Sequence, residues 1–260
     1  MVNAILLVIL KYLGFLQNLT MLRKLCNQSS PLRDVILTLK QGKIVLIHDS
    51  NDRENETDMV IAAQHITPDH IKTMRKDAGG LICVAIRFDI ASRLGLPYMS
   101  EILQITSKKY PNLLELINSQ AIYGRSAFSL SVNHRKTFTG ITDFDRALTI
   151  KKIARLCNLA IQGFDDVEYE FATNFRAPGH IQLLIASDGL ISERIGHTEL
   201  SVYLAQLAGL TPVTVICEML DDKTHRSLLT QSAQDYAKIH GKPFIEGYEI
   251  VSHYESSNEV

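Results

Sequence analysis

The stretch KIVLIHDSNDRENETDMVIAAQ, residues 43–64, sets two apolar runs on either side of a dense acidic segment. KIVLIH (43–48) reads as a buried strand and MVIAAQ (59–64) as strand-like, because short apolar runs between polar residues suit strands covered on both faces. From Asp49 to Asp58 the chain carries five carboxylates (Asp49, Asp52, Glu54, Glu56, Asp58) against Arg53, a net of four negative charges in ten residues. Alone, such a run is a solvated loop. If the segment is extended, alternate side chains share one face, and Asp52, Glu54, Glu56 and Asp58 converge. Converging carboxylates repel without a counter-ion, and oxygen donors in this number suit a hard divalent cation such as Mg2+.

The rest of the chain sets limits on this lead. At 260 residues, 46% hydrophobic and 21% charged, it can bury one sizeable core. A formal net charge of -1 leaves no basic footprint for nucleic acid. Cys26, Cys83, Cys157 and Cys217 stand far apart with no CxxC, which fits a reduced, cytoplasmic protein and excludes a zinc ribbon. The first residues, MVNAILLVILKYLGFLQNLT, are apolar, but Lys11 interrupts them and no basic segment precedes them. Spanning a bilayer takes about 20 apolar residues, so a membrane anchor is disfavoured. An amphipathic helix, or an extension upstream of a start at Met21, fits better, and a chain beginning at Met21 is expected to fold and act.

Beyond the acidic stretch, helix and strand patterns alternate. SPLRDVILTLKQG (30–42) and TPDHIKTMRKDAGG (67–80) have helical starts and glycine stops. LICVAI (81–86), AFSLSVNH (127–134), IQLLIA (181–186), VTVICEML (213–220) and PFIEG read as extended. DRALTIKKIARLCNLAI (145–161), TELSVYLAQLAG (198–209) and a segment near 227–240 read as helices, and residues 97–123 are the least legible. Several strands follow one another without a helix between them, which predicts a mixed sheet with helices on both faces.

Three later stretches could partner the acidic run. APGHIQ puts His180 at a Pro-Gly turn before a strand. ERIGHTEL puts Arg194, His197, Thr198 and Glu199 around Gly196 at a helix start, and VICEML ends an apolar strand with Glu218 beside Cys217. Each has an ordinary structural explanation: a surface histidine, a helix capped by Thr198, a strand-end charge. A helix start also offers free N–H groups to phosphate, with Arg194 able to bind it bidentately.

In this order, DRENETD, GLICVA, AFSLSV…TGIT..DRA.TI, PGH, R.GHTE and ICE closely resemble the 3,4-dihydroxy-2-butanone 4-phosphate synthases over roughly residues 31–255, with ETD, RKDAGGLIC and NHRKTFTGITDFDRA most like the archaeal branch. The resemblance implies an α+β, three-layer fold, its mixed parallel and antiparallel sheet flanked by helices, after an extension (1–30) of unknown role. It implies a riboflavin-pathway lyase that converts ribulose 5-phosphate to 3,4-dihydroxy-2-butanone 4-phosphate and formate. The cofactor would be Mg2+ or Mn2+, two ions per site, in a homodimer whose active sites lie at the subunit interface. Carried over by motif, Glu54 and His197 fall on metal ligands, and His180 and Glu218 on residues needed for catalysis. Arg53, Glu54, Asp58, Glu218 and the segment Arg194, Ile195, Gly196, His197, Thr198 fall on substrate contacts. Asp49, Glu56 and Cys83 match further active-site positions, Asp49 on the substrate side and the other two on the catalytic side.

Such chemistry needs a Lewis acid beside a ketone and positioned proton carriers, which a divalent ion, carboxylates and imidazoles supply. The sequence departs from the family after ICEML, where DDKTHRS lacks the usual closing glycine, so that loop is expected to be reshaped. Two alternatives remain at this point. A threonylcarbamoyl-adenylate synthase would need a basic nucleotide cleft, which the acidic run opposes. A non-catalytic paralogue would have lost chemical residues, yet Glu54, His180, His197 and Glu218 are present.

Overall fold

The computed structural model describes residues 31–118 and 124–258; the expectations placed on residues 1–30 lie outside the described residues. The chain runs α1 (Pro31–Lys40), β1 (Val45–His48), β2 (Thr57–Ala62), α2 (Pro68–Thr73) leading into a π-turn (Met74–Ala78), and β3 (Cys83–Ile86). Then come α3 (Phe88–Arg93), α4 (Met99–Thr106), α5 (Leu113–Asn118), β4 (Phe128–His134), α6 (Asp143–Ile161), α7 (Val167–Asn174) and β5 (Phe175–Ile185). The last part holds α8 (His197–Leu207), β6 (Val213–Glu218), a small hairpin of β7 (Leu220–Asp221) and β8 (Arg226–Ser227), α9 (Thr230–Ile239), β9 (Phe244–Glu246) and α10 (Gly247–Asn258).

The main sheet has the order β4-β5-β3-β6-β2-β1-β9. β3 pairs parallel with β5 and β1 parallel with β9, while β1–β2, β2–β6, β3–β6 and β4–β5 are antiparallel. The expected mixed sheet is therefore present. Helices cover both faces, and strand parity shows how. Leu46, Met59, Ile61, Val84, Ile86, Val215 and Cys217 join one core with residues of α2, α3 and α6. Val45, Ile47, Val60, Cys83, Leu184 and Ile216 join the other with α1, α8 and α10. Neighbouring residues thus bury on opposite faces, which is why these strands read as continuous apolar runs.

Three local features go beyond the sequence pattern. β5 does not start after the Pro-Gly pair but runs through it as an eleven-residue strand. Pro178, which has no N–H to donate, lies where β5 pairs with the edge strand β4, beside a register shift between Val132 and Asn133. Second, α4 and α5 occupy the stretch that resisted reading, and neither has a buried residue to impose an apolar period. Third, the loop after Glu218 forms the β7–β8 hairpin, in which His225 takes the left-handed conformation (φ 60) that a closing glycine adopts readily.

Gly179 lets β5 lie close against β4: a Cβ there would collide with the backbone of Val132 and Asn133. Gly209→Ala, whose Cβ would meet open space, carries only the left-handed strain of φ +66, about 1 kcal/mol. Gly179→Ala should cost more than about 3 kcal/mol, the upper end of ordinary overpacking, because backbone cannot yield as side chains do. Urea midpoints of the two variants check this; equal shifts would show the approach to be looser.

Candidate active site

The acidic segment is a tight loop between β1 and β2, closed by hydrogen bonds from Arg53 N and Asn55 N to the Ser50 carbonyl and from Asp49 N to Glu56 O. Asn55 takes φ 54, a left-handed value that Asn tolerates better than most residues. The buried Asp49 carboxylate accepts from Arg53 Nη1 (3.0 Å), Glu54 N (3.1 Å) and Glu56 N (3.0 Å). The expected alternation on one strand face is thus overturned: the chain curls around Asp49, and Asp52 is left exposed. A loop that satisfies its own backbone donors with one carboxylate gains more than an extended run of like charges would.

From Thr57 the chain is strand, and register takes over. Asp58 in β2 lies opposite Glu218 in β6, as Val60 lies opposite Ile216. The face shared with Val60 and Ile216 packs toward α8, so both carboxylates face the start of that helix. Cys83 lies opposite Ile216 on β3, one pair behind. The Glu218 Oε2 accepts from Leu81 N at 2.7 Å, and its carbonyl accepts from Gly80 N at 3.0 Å. A Cβ on Gly80 would collide with the Glu218 carboxylate, so the second glycine of the pair is there for close approach.

α8 begins at His197 with Gly196 as its cap and no side-chain capping bond, so Thr198 sits inside the first turn and caps nothing. The uncapped N–H groups and the helix dipole favour an anion. Gly196 also admits two guanidiniums: a Cβ would collide with Arg194 Nη1 and approach Arg53 Nη2 to 2.9 Å.

His197 joins the two halves. Its Nδ1 lies 3.5 Å from Glu54 Oε2 and its Nε2 3.8 Å from Asp58 Oδ1. Burial works against a charged imidazole, yet Asp58, Glu54 and Asp49 hold its pKa up at about 9. Burial likewise opposes ionisation of Glu54, but His197 and Arg53 keep that carboxyl at about 2. Asp58 is pushed up by burial and by Glu218, Glu56 and Glu54, and Glu218 is raised chiefly by burial. Asp49 stays low despite burial because of His197 and the backbone donors.

Asp49, Glu54 and His197 each offer a ligand atom within 4.8 Å of the others. Asp58 Oδ1 and His197 Nε2 are buried with no hydrogen-bond partner among the described residues. Hard oxygens with one imidazole, and buried atoms left wanting a partner, fit a divalent ion. Asp49 accepts three hydrogen bonds, whereas Glu54 pairs through Oε2 with Arg53 Nη1 at 2.6 Å and His197 Nε2 has no hydrogen-bond partner among the described residues, so Glu54 and His197 are the less occupied donors.

Arg53, Glu54, Asp58, Arg194, His197, Thr198 and Glu218 line one cleft of about 240 Å³. Glu56 stands beside it, its Oε1 accepting from Ser227 Oγ at 2.6 Å. Cys83 is 1% exposed, its thiol pushed up by burial, and lies behind the cleft. Ile195 is exposed. His180 is not brought to the cleft: it is exposed on β5, where Asn133 Nδ2 lies 3.0 Å from its Nδ1. Sequence reading missed Arg125, which lines the cleft, and Ser227, which no motif marks. In sequence Gly80 reads as a helix stop, whereas in the fold its N–H donates to the Glu218 carbonyl.

The sequence profile described as 3,4-dihydroxy-2-butanone 4-phosphate synthase matches residues 33–253. The chain is similar to the 3,4-dihydroxy-2-butanone 4-phosphate synthase of Methanothermobacter thermautotrophicus, 48% identical over 86% of this chain and 95% of that one. That of Archaeoglobus fulgidus is also 48% identical, over 85% and 92%. A crystal structure of a 3,4-dihydroxy-2-butanone 4-phosphate synthase in complex with two magnesium ions superposes with a TM-score of 0.70 at 29% identity, over 86% of this chain and 95% of that chain.

Asp49→Asn keeps the shape of the loop's centre but turns an NH2 toward a donor. The expected loss is about 1.5–3 kcal/mol, the scale of a hydrogen bond to a charged group, read from urea unfolding, together with weaker divalent-cation binding. A variant as stable as the parent would show that the loop closes without this charge.

Proposed function

From the premise that the chain belongs to the 3,4-dihydroxy-2-butanone 4-phosphate synthase family, we propose that it converts D-ribulose 5-phosphate to 3,4-dihydroxy-2-butanone 4-phosphate and formate for riboflavin biosynthesis. The observation that carries this reading is the convergence of Glu54, Asp58, His197 and Glu218 on one cleft, with Asp58 Oδ1 and His197 Nε2 unpartnered among the described residues. Five carbons divide into four and one with no net oxidation, so no redox partner is needed.

Glu54 and His197 would hold Mg2+, with Mn2+ as an alternative; two ions per site are taken from the related structure with two magnesium ions. A divalent ion held there would supply Lewis-acid polarisation of substrate oxygen, which lowers the cost of removing the neighbouring proton. Arg194 and the first turn of α8 take the phosphate, which orients the sugar along the cleft. Asp58 and Arg53 hold its hydroxyls. Glu218, fixed by Leu81 N and pushed toward protonation, moves protons at the reacting carbons. Glu56, oriented by Ser227, supports that transfer, and Cys83 closes the rear wall as a neutral thiol.

His180 acts in this reading from a second copy of the chain. Asn133 anchors it, and the same Asn133 contacts the turn carrying Phe138, which is 92% exposed, with Phe144 beyond at 78%. Exposed aromatic groups of this size call for a partner surface. A homodimer pressing these turns together would bring His180 to the partner's cleft. No helix among the described residues is long and apolar enough to cross a membrane, and Cys83, Cys157 and Cys217 are free, buried thiols. Both support placement in the cytoplasm.

Formate release from ribulose 5-phosphate should require Mg2+ and stop in excess EDTA while the melting temperature stays close to that of the chain before chelation; turnover in EDTA would refute the metal role. His197→Ala should weaken Mg2+ binding, whereas His180→Ala should leave it intact and lower turnover by about 10²-fold or more. Equal metal loss in both would overturn the division of roles. Mixing inactive His180→Ala with inactive Glu54→Ala subunits should regain activity, because one site of the mixed dimer has both residues. No recovery after subunit exchange would place His180 in the cleft of its own chain.

A further inference from the structure

Glu199 lies in the first turn of α8 and is fully buried. A buried carboxylate is costly unless it is paired. Here one oxygen accepts from Ser187 N at 3.0 Å, just after β5, and the other from Arg194 Nη1 at 2.5 Å. Arg194 in turn has its Nε buried with no partner among the described residues, and it lines the cleft. It also lines an adjoining cavity of about 260 Å³, with Tyr98, Arg125 and Glu199. Unrestrained, a long arginine side chain would divide its time between the two spaces.

We propose that Glu199 is a positioning residue: tethered to the backbone at Ser187, it holds Arg194 through Nη1 and so keeps the guanidinium, with its unpartnered Nε, at the cleft for the phosphate of the substrate. This rests on the reading of the cleft as a sugar-phosphate site. The residue does not touch substrate. Its effect runs through Arg194, whose planar fork binds phosphate well only when its orientation is set beforehand.

The test is Glu199→Gln in the full-length protein. The expected result is a KM for ribulose 5-phosphate raised about tenfold or more with kcat within about threefold, since the lost interaction serves binding of substrate and transition state alike. Calorimetric titration with inorganic phosphate should weaken in parallel. In an Arg194→Gln background, adding Glu199→Gln should change neither quantity further, and with both partners neutral the fold should be restored toward the parent. A merely structural glutamate would lower the melting temperature and the active fraction with KM unchanged, and that outcome overturns the proposal, as does a further loss of phosphate affinity in the double variant. If Glu199→Gln does not fold, Glu199→Asp, with its carboxylate drawn back by one methylene, is read the same way. A parent protein that releases no formate would refute the sugar-phosphate reading, while the phosphate titration would still decide the role of Glu199.

Discussion

One buried carboxylate organises the site. Asp49 takes the side chain of Arg53 and the backbone N–H groups of Glu54 and Glu56, three donors from three different residues. The loop therefore has its fixed point at its first residue, and the acidic side chains that follow are aimed by backbone geometry. Without that fixed point, Glu54 and Arg53 would be neighbouring ions on a solvated turn, worth little to one another. With it, Glu54 stands beside His197, and the loop is joined to a helix more than a hundred residues away in sequence.

The second constraint is parity. Asp58 and Glu218 face each other because β2 and β6 pair in one register, and a slip of either strand by one residue would send its carboxylate into the opposite core. Cross-strand like charges destabilise a sheet. This one is tolerated because His197 supplies positive charge and because both carboxyls are driven toward their neutral form by burial. The fold accepts a local electrostatic cost at the place where proton carriers are needed.

Much of this was legible in the residues. Continuous apolar runs gave strands covered on both faces, and the order of motifs gave the family. Seven of the substrate and metal positions named by motif, from Arg53 to Glu218, line one cleft. What escaped was geometric. Alternation of Asp52, Glu54, Glu56 and Asp58 suggested a strand, but a single carboxylate with three donors outweighs the extended form. Gly80 resembles a helix stop in sequence, whereas its role is to let Glu218 approach. Ser227 lies outside any pattern of charge or period, because its partner, Glu56, comes from another part of the chain; Glu199, five residues after Arg194, reads in sequence only as a charge in the first turn of a helix. His180 was named by motif, and its distance from the cleft could not be read from one chain's sequence.

The position of Asp58 and Glu218 within the sheet has a consequence for motion. β6 and β2 are interior strands, flanked by β3 on one side and β1 on the other. Amide protons there exchange with solvent chiefly through global opening, since no edge is available to fray. The chemistry-bearing ends of these strands thus belong to a part of the molecule expected to exchange slowly. Substrate that reaches the cleft therefore meets proton carriers whose position the sheet has already set.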